Sequence, residues 1–234
     1  LAAVEAREAR LRALEADFAP LGELRVARYE VTNAEYFAFC VGRTRAAKAA
    51  GDAAALERAR ALWPAEWTAM PNDPDLRRFP SGKGEHPVGG VSFRDAEEYC
   101  AWRSGELGVK VRLPTEAEWL KAAGAGDGRA YPWGATFDAA RARYQRTNDG
   151  TVPVRTELGG QSPVDAHHMA GNVAEWVDTV WDDPAEGPDA SSRVLKGGSY
   201  RSMTPENLAL AARLRGGVRE RRPEWGFRVV VEAE

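Results

Sequence analysis

Three helix starts written in the same chemistry, followed by a long stretch with little periodic pattern, constrain this chain more than any other feature. Thr32 is followed by Glu35, Ser92 by Asp95 and Thr115 by Glu118. At that spacing the hydroxyl accepts from the N–H three residues on, and the carboxylate there accepts from the hydroxyl residue's own N–H. Two otherwise orphaned donors are satisfied together. Each pair opens a run with apolar residues at helical spacing: "NAEYFAFC", "FRDAEEYCAW" and "EAEWLKAA". "ELRVARYEV" and "VKVRL" read as short strands before the first and third, and "GFRVVVEA" as a closing strand. From residue 124 to 192, Gly, Pro, Asn and Asp recur too often for long periodic elements. Loops of that length must be held by internal polar ties or a metal, because buried backbone without partners is unstable.

Other segments fill in the organisation. Leu1, Val4, Leu11, Leu14 and Phe18 lie at spacings near three, four and seven, so residues 1–22 read as an amphipathic helix ahead of one domain over 23–234. From about 43 to 85 the composition turns to Ala and Arg and then to a Pro- and Trp-dense run, an inserted helix with an irregular surface segment. Thr204, Pro205 and Asn207 suit the cap, first and third positions of a short helix "PENLALAARL".

With 234 residues, 44% of them hydrophobic, the chain can bury a real core. A net charge of -3 argues against a surface built throughout for nucleic acid or anionic lipid. No apolar run reaches the roughly 18 residues of a membrane span, and the start has no signal-peptide apolar region. Cys40 and Cys100, each amid aromatic residues, read as buried thiols. These features favour the cytoplasm, although the chain starts at Leu1 rather than Met, so a segment can have preceded it.

Two stretches carry candidate chemistry. In "MAGNVAEW" a Gly-Asn pair suits left-handed backbone, and Glu175 places a carboxylate beside it. A structural turn, with Glu175 accepting backbone hydrogen bonds, is the competing reading. His167 and His168 are adjacent but have no third ligand at zinc spacing. The closing stretch, residues 197–230, sets a glycine pair and a strand around a middle of mixed Arg, Met, Gly, Glu and Trp.

Five segments in fixed order, "YEVTNAEYFAFC", "HPVGGVSFRDAEEYCAWRS", "RLPTEAEWLKAA…YPWG", "MAGNVAEWVDT" and "VLKGGSY…GFRVV", together resemble the formylglycine-generating-enzyme (sulfatase-modifying factor) domain. The resemblance implies a variant of the C-type-lectin fold: an α+β architecture of low regular content, with two helices flanking a small twisted sheet and long loops. It also implies a calcium site from the carbonyls of Gly171 and Val173 and the side chain of Glu175. His168, where the family usually has Asn, and a shortened preceding loop count against that site. No cofactor is required otherwise.

The generating enzyme of that family uses two cysteines soon after "GGSW". Here the matching positions read as Ser202 and about Asn207. A hydroxyl and an amide cannot replace thiolate ligands to copper(I), so copper is not expected. Nor is iron, because the chain has only three histidines and no additional helical domain.

What the resemblance leaves is a binding protein, of the type that serves as the variable protein of a diversity-generating retroelement. Its diversified region would span about 197–230. Gly197, Gly198, Asn207, Leu208, Arg213, Arg215 and the strand 226–230 read as framework. Arg201, Ser202, Met203, Leu214, Gly216, Gly217, Arg219, Arg221, Arg222, Glu224 and Trp225 read as the displayed ligand-binding set, with Trp225 as its anchor. The ligand expected is a protein rather than nucleic acid, because Glu220 and Glu224 interleave the arginines. The alternatives are a non-variable sensor or binding module of the same family, and an oxygen-dependent enzyme of the generating type.

Overall fold

In the computed structural model, described for residues 16–124, 126–146 and 150–232, all three predicted capping boxes close. Thr32 and Glu35 open α1 (Asn33–Ala50), Ser92 and Asp95 open α3 (Phe93–Leu107), and Thr115 and Glu118 open α4 (Glu116–Ala122). Asp52 caps the intervening helix α2 (Ala53–Ala61). Left-handed glycines, Gly51 and Gly108, end α1 and α3.

The strands form two four-stranded sheets and a hairpin. The first sheet runs β1 (Phe18–Leu21), β2 (Leu24–Ala27), β10 (Val230–Glu232), β5 (Val111–Arg112), all antiparallel. The second runs β8 (Leu214–Gly217), β7 (Gly187–Lys196), β6 (Ala174–Asp183), β9 (Trp225–Gly226), with β9 parallel to β6. Strands β3 (Thr68–Met70) and β4 (Asp73–Arg78) pair alone. The closing residues therefore serve both sheets: β9 ends the second, β10 lies inside the first, and Phe227 and Arg228 between them are fully buried.

Aromatic rings bind the two long helices to that junction. Tyr36 of α1 stacks on Tyr99 of α3 at 6.0 Å, and Phe227 meets Tyr99 edge-on at 5.3 Å. Such pairs add about 0.5–1.5 kcal/mol beyond area burial. Trp119 of α4 sits in a second cluster with Val26, Val177 and Val194. Cys40 and Cys100 are buried, as expected.

Several expectations change. Most of the segment expected to form the N-terminal amphipathic helix, residues 1–15, lies outside the described residues, and Phe18–Leu21 is strand β1 rather than helix because it pairs with β2. The 43–85 segment does not lie wholly on the surface. Helix α1 runs through its start, and Leu62, Trp63, Trp67 and Leu76 are core residues packed around Tyr36 and Phe37. The stretch from 124 to 192 ends in a long hairpin, taking in all of β6 and the first part of β7. "PENLALAARL" gives a single helical turn, Pro205–Leu208, with the predicted Thr204–Asn207 capping box.

Candidate functional site

Two glycines of the closing segment leave no room for a side chain. Gly198 holds φ at 63°, and a Cβ there would lie 2.5 Å from the Asn207 carbonyl. A Cβ on Gly216 would lie 2.4 Å from the Trp176 ring. The turn after the glycine pair is tied from several sides. The Ser199 N–H donates to Ser202 Oγ at 3.0 Å, the Tyr200 N–H to Asn172 O, and Asn207 Oδ1 accepts from Thr204. Ser202 and Asn207 thus hold the turn with their polar atoms.

On this frame the displayed set divides. Arg201, Met203, Leu214, Arg219 and Arg222 are exposed, and Ser202, Gly217 and Glu224 are half-buried. Of the three large hydrophobic side chains exposed among the described residues, Val180, Met203 (60%) and Leu214 (38%), two belong to this segment. Two expected contact residues, Gly216 and Trp225, are buried framework instead, and a third, Arg221, is exposed but tied down. Gly216 is buried by its close approach to Trp176. Trp225, the expected anchor, is only 4% exposed, packed edge-on to Trp176 at 5.1 Å and covered by the Arg222 guanidinium at 4.8 Å. Arg221 is a tie, donating at 2.6 Å to both Asp95 and the Ala61 carbonyl. Arg213 bonds the Asp182 carbonyl as expected of framework, whereas Arg215 pairs with the Asp189 carboxylate.

Arg201 reaches to within 3.7 Å of Glu224, drawing the two ends of the segment together. Beside them opens a cleft of about 290 Å³ whose walls include Tyr200 and Pro223 from the segment and Glu66, Trp67, Lys83 and His86 from far earlier in the chain. Sequence reasoning missed these four, since nothing local marks residues that meet only after folding. The His86 imidazole sits 2.9 Å from the Thr151 hydroxyl. Burial, reinforced by Lys83, lowers its pKa to about 4, so it is neutral at neutral pH.

The "GNVAE" turn takes the left-handed backbone expected, with φ of 91° at Gly171 and 62° at Asn172. Its carboxylate does not fit calcium. Both Glu175 oxygens accept from the buried Arg228 guanidinium at 2.7 Å, and one also accepts from the Trp119 indole at 2.8 Å. A cation there would have to displace a guanidinium that is itself 0% exposed. The Val173 N–H and the Asn172 amide donate to Glu30, a second buried carboxylate absent from the sequence reading. Burial first, then repulsion from Glu175, raises the Glu30 pKa well above its ordinary value. Among the described residues no three His, Cys, Asp or Glu side chains are grouped to hold a metal.

An α+β frame of small sheets and aromatic-packed helices, carrying a pinned loop segment beside a cleft, is a fold of the C-type-lectin type. It matches Treponema denticola variable protein 1 with a TM-score of 0.60 at 21% identity, covering 89% of this chain and 84% of that one. The model of the sulfatase-modifying factor enzyme 1-like domain matches residues 15–233, and the chain belongs to that family. Formylglycine-generating enzyme of Bos taurus is 32% identical over 214 residues, covering 74% of this chain and 55% of the relative. Inactive C-alpha-formylglycine-generating enzyme 2 of the same organism is 36% identical over 152 residues, 56% of this chain and 46% of the relative. The chain thus spans about half the length of these curated relatives.

Proposed function

We propose that this chain is a non-catalytic ligand-binding module that displays Arg201, Met203, Leu214, Arg219 and Arg222 on a C-type-lectin scaffold, as the variable protein of a diversity-generating retroelement. The observation that carries this reading is the separation within one segment: Gly198, Gly216, Trp225 and Phe227 are locked into the core, while unrelated side chains between them face solvent. Residues so placed can change without disturbing the fold, which is what diversification requires. The likeness in fold to a variable protein supports it.

The chemistry of the thiols supports the non-catalytic part. Ser202 and Asn207 hold the turn, and Cys40 and Cys100 are core thiols whose pKa burial pushes up, so neither offers a thiolate to a metal or substrate. The similarity to a relative named as inactive, inactive C-alpha-formylglycine-generating enzyme 2, supports the same reading.

The DNA beside the gene tests the reading. A near-copy of the codons for 197–230, differing mainly at adenines and concentrated at the five displayed positions, is expected next to a reverse transcriptase gene. A locus with neither removes the retroelement and leaves an invariant binding module.

A further inference from the structure

At the capped start of α3, beside Ser92 and Asp95, lies a second, larger opening of about 600 Å³, between α2, α3 and the loop after β8. Four guanidinium groups, Arg58, Arg94, Arg219 and Arg221, line it against two carboxylates, Asp95 and Glu98. The excess is positive in a chain whose net charge is -3. Asp95 does not repel an incoming anion. Its Oδ2 accepts from the Ser92 N–H at 2.7 Å, and its Oδ1 is neutralised by Arg221 at 2.6 Å. Arg94 pairs with Glu97, and Glu98 lies 3.8 Å from Arg43. Arg58 and Arg219, both exposed, enter no ion pair among the described residues.

We infer that this cleft is a binding site for an acidic peptide segment of a protein partner, read by Arg58 and Arg219 with Arg221 and Arg94 behind them. This deepens the proposed function and rests on it for Arg219, the displayed residue that reaches the cleft. Guanidinium forks bind carboxylates in pairs, and forks on three different elements suit several carboxylates along one chain better than a single small anion. No aromatic side chain lines the opening, so it has no platform on which nucleic-acid bases could stack.

Fluorescence anisotropy with a fluorescein-labelled hexaglutamate peptide, at low and then moderate salt, tests this. Saturable binding that weakens with salt is expected, and Arg58→Ala with Arg219→Ala should weaken it by about tenfold or more. Both sites are exposed, so the variant should melt with the wild type. Arg45→Ala with Arg78→Ala, both exposed and outside the cleft, should bind as the wild type does. No saturable binding, unchanged binding by the first variant, or equal competition by inorganic phosphate or an oligothymidylate of matching charge overturns the inference. The display reading is judged separately: an adenine-directed repeat beside the gene sustains it even if the peptide fails to bind.

Discussion

His168 holds φ at 55°, in the left-handed region where Asn is tolerated and a bulky ring is strained. Its ring is buried, with Nε2 unpartnered among the described residues. Burial, then the Arg228 charge, lowers its pKa to about 4 from 6.5, and His86 shows the same displacement. A depressed histidine pKa means that the unfolded chain takes up the proton first as pH falls. The stability each ring contributes is therefore complete above 6.5 and is lost as pH falls toward 4, on the order of 3 kcal/mol per ring at most. His168→Asn keeps the backbone conformation and removes the titrating ring. The variant should lose about 2 kcal/mol less than the wild type between pH 7 and pH 4.5. Urea unfolding at the two pH values measures this, and parallel losses would show that His168 is not the group responsible.

The closing segment behaves as an element with two kinds of position, and the glycines mark the difference. Ala at 198 forces a left-handed φ onto a side chain and drives its Cβ into the Asn207 carbonyl, while Ala at 216 drives one into Trp176. Gly198→Ala and Gly216→Ala should each destabilise by about 2–3 kcal/mol. Met203→Ala and Leu214→Ala should stay within about 0.5 kcal/mol. Denaturant midpoints compare the two pairs, and equal losses would make this segment core and defeat the display reading. The same contrast shows what a sequence can reveal. Capping boxes at Thr32, Ser92, Thr115 and Thr204 are legible because both partners lie three residues apart. Strand β6 is not, since Ala174–Val177 is buried on both faces and shows no alternation. Trp225 misleads for a related reason: it follows a run rich in charge, Arg219 to Glu224, but its neighbour in space is Trp176.

At the scale of the molecule, Arg228 is the point where the two sheets, α4 and the loop before β6 are joined. Its guanidinium donates to Glu175 on β6, to the Ala27 and Arg28 carbonyls at the end of β2, and to the His167 carbonyl. Trp119 of α4 donates to the same Glu175. Family resemblance marked Glu175 as a calcium ligand, but no sequence pattern shows that a residue 53 positions on will neutralise it. Removing that cation leaves Glu175 and Glu30 buried and mutually repelling, with only the neutral donors of Trp119, Asn172 and Val173 against their desolvation. Arg228→Met should therefore destabilise by about 3–5 kcal/mol, and Glu175→Gln added to it should recover part of that loss. A double-mutant cycle in urea gives the coupling, and simple additivity would mean that the pair does not act as a unit. The calcium arm uses the wild type. Because the guanidinium already occupies the carboxylate, melting in millimolar calcium and in chelator should coincide, whereas a site at about a hundred times its Kd would add roughly 2.7 kcal/mol. A calcium-dependent rise that Glu175→Gln abolishes would show that the ion displaces Arg228 after all.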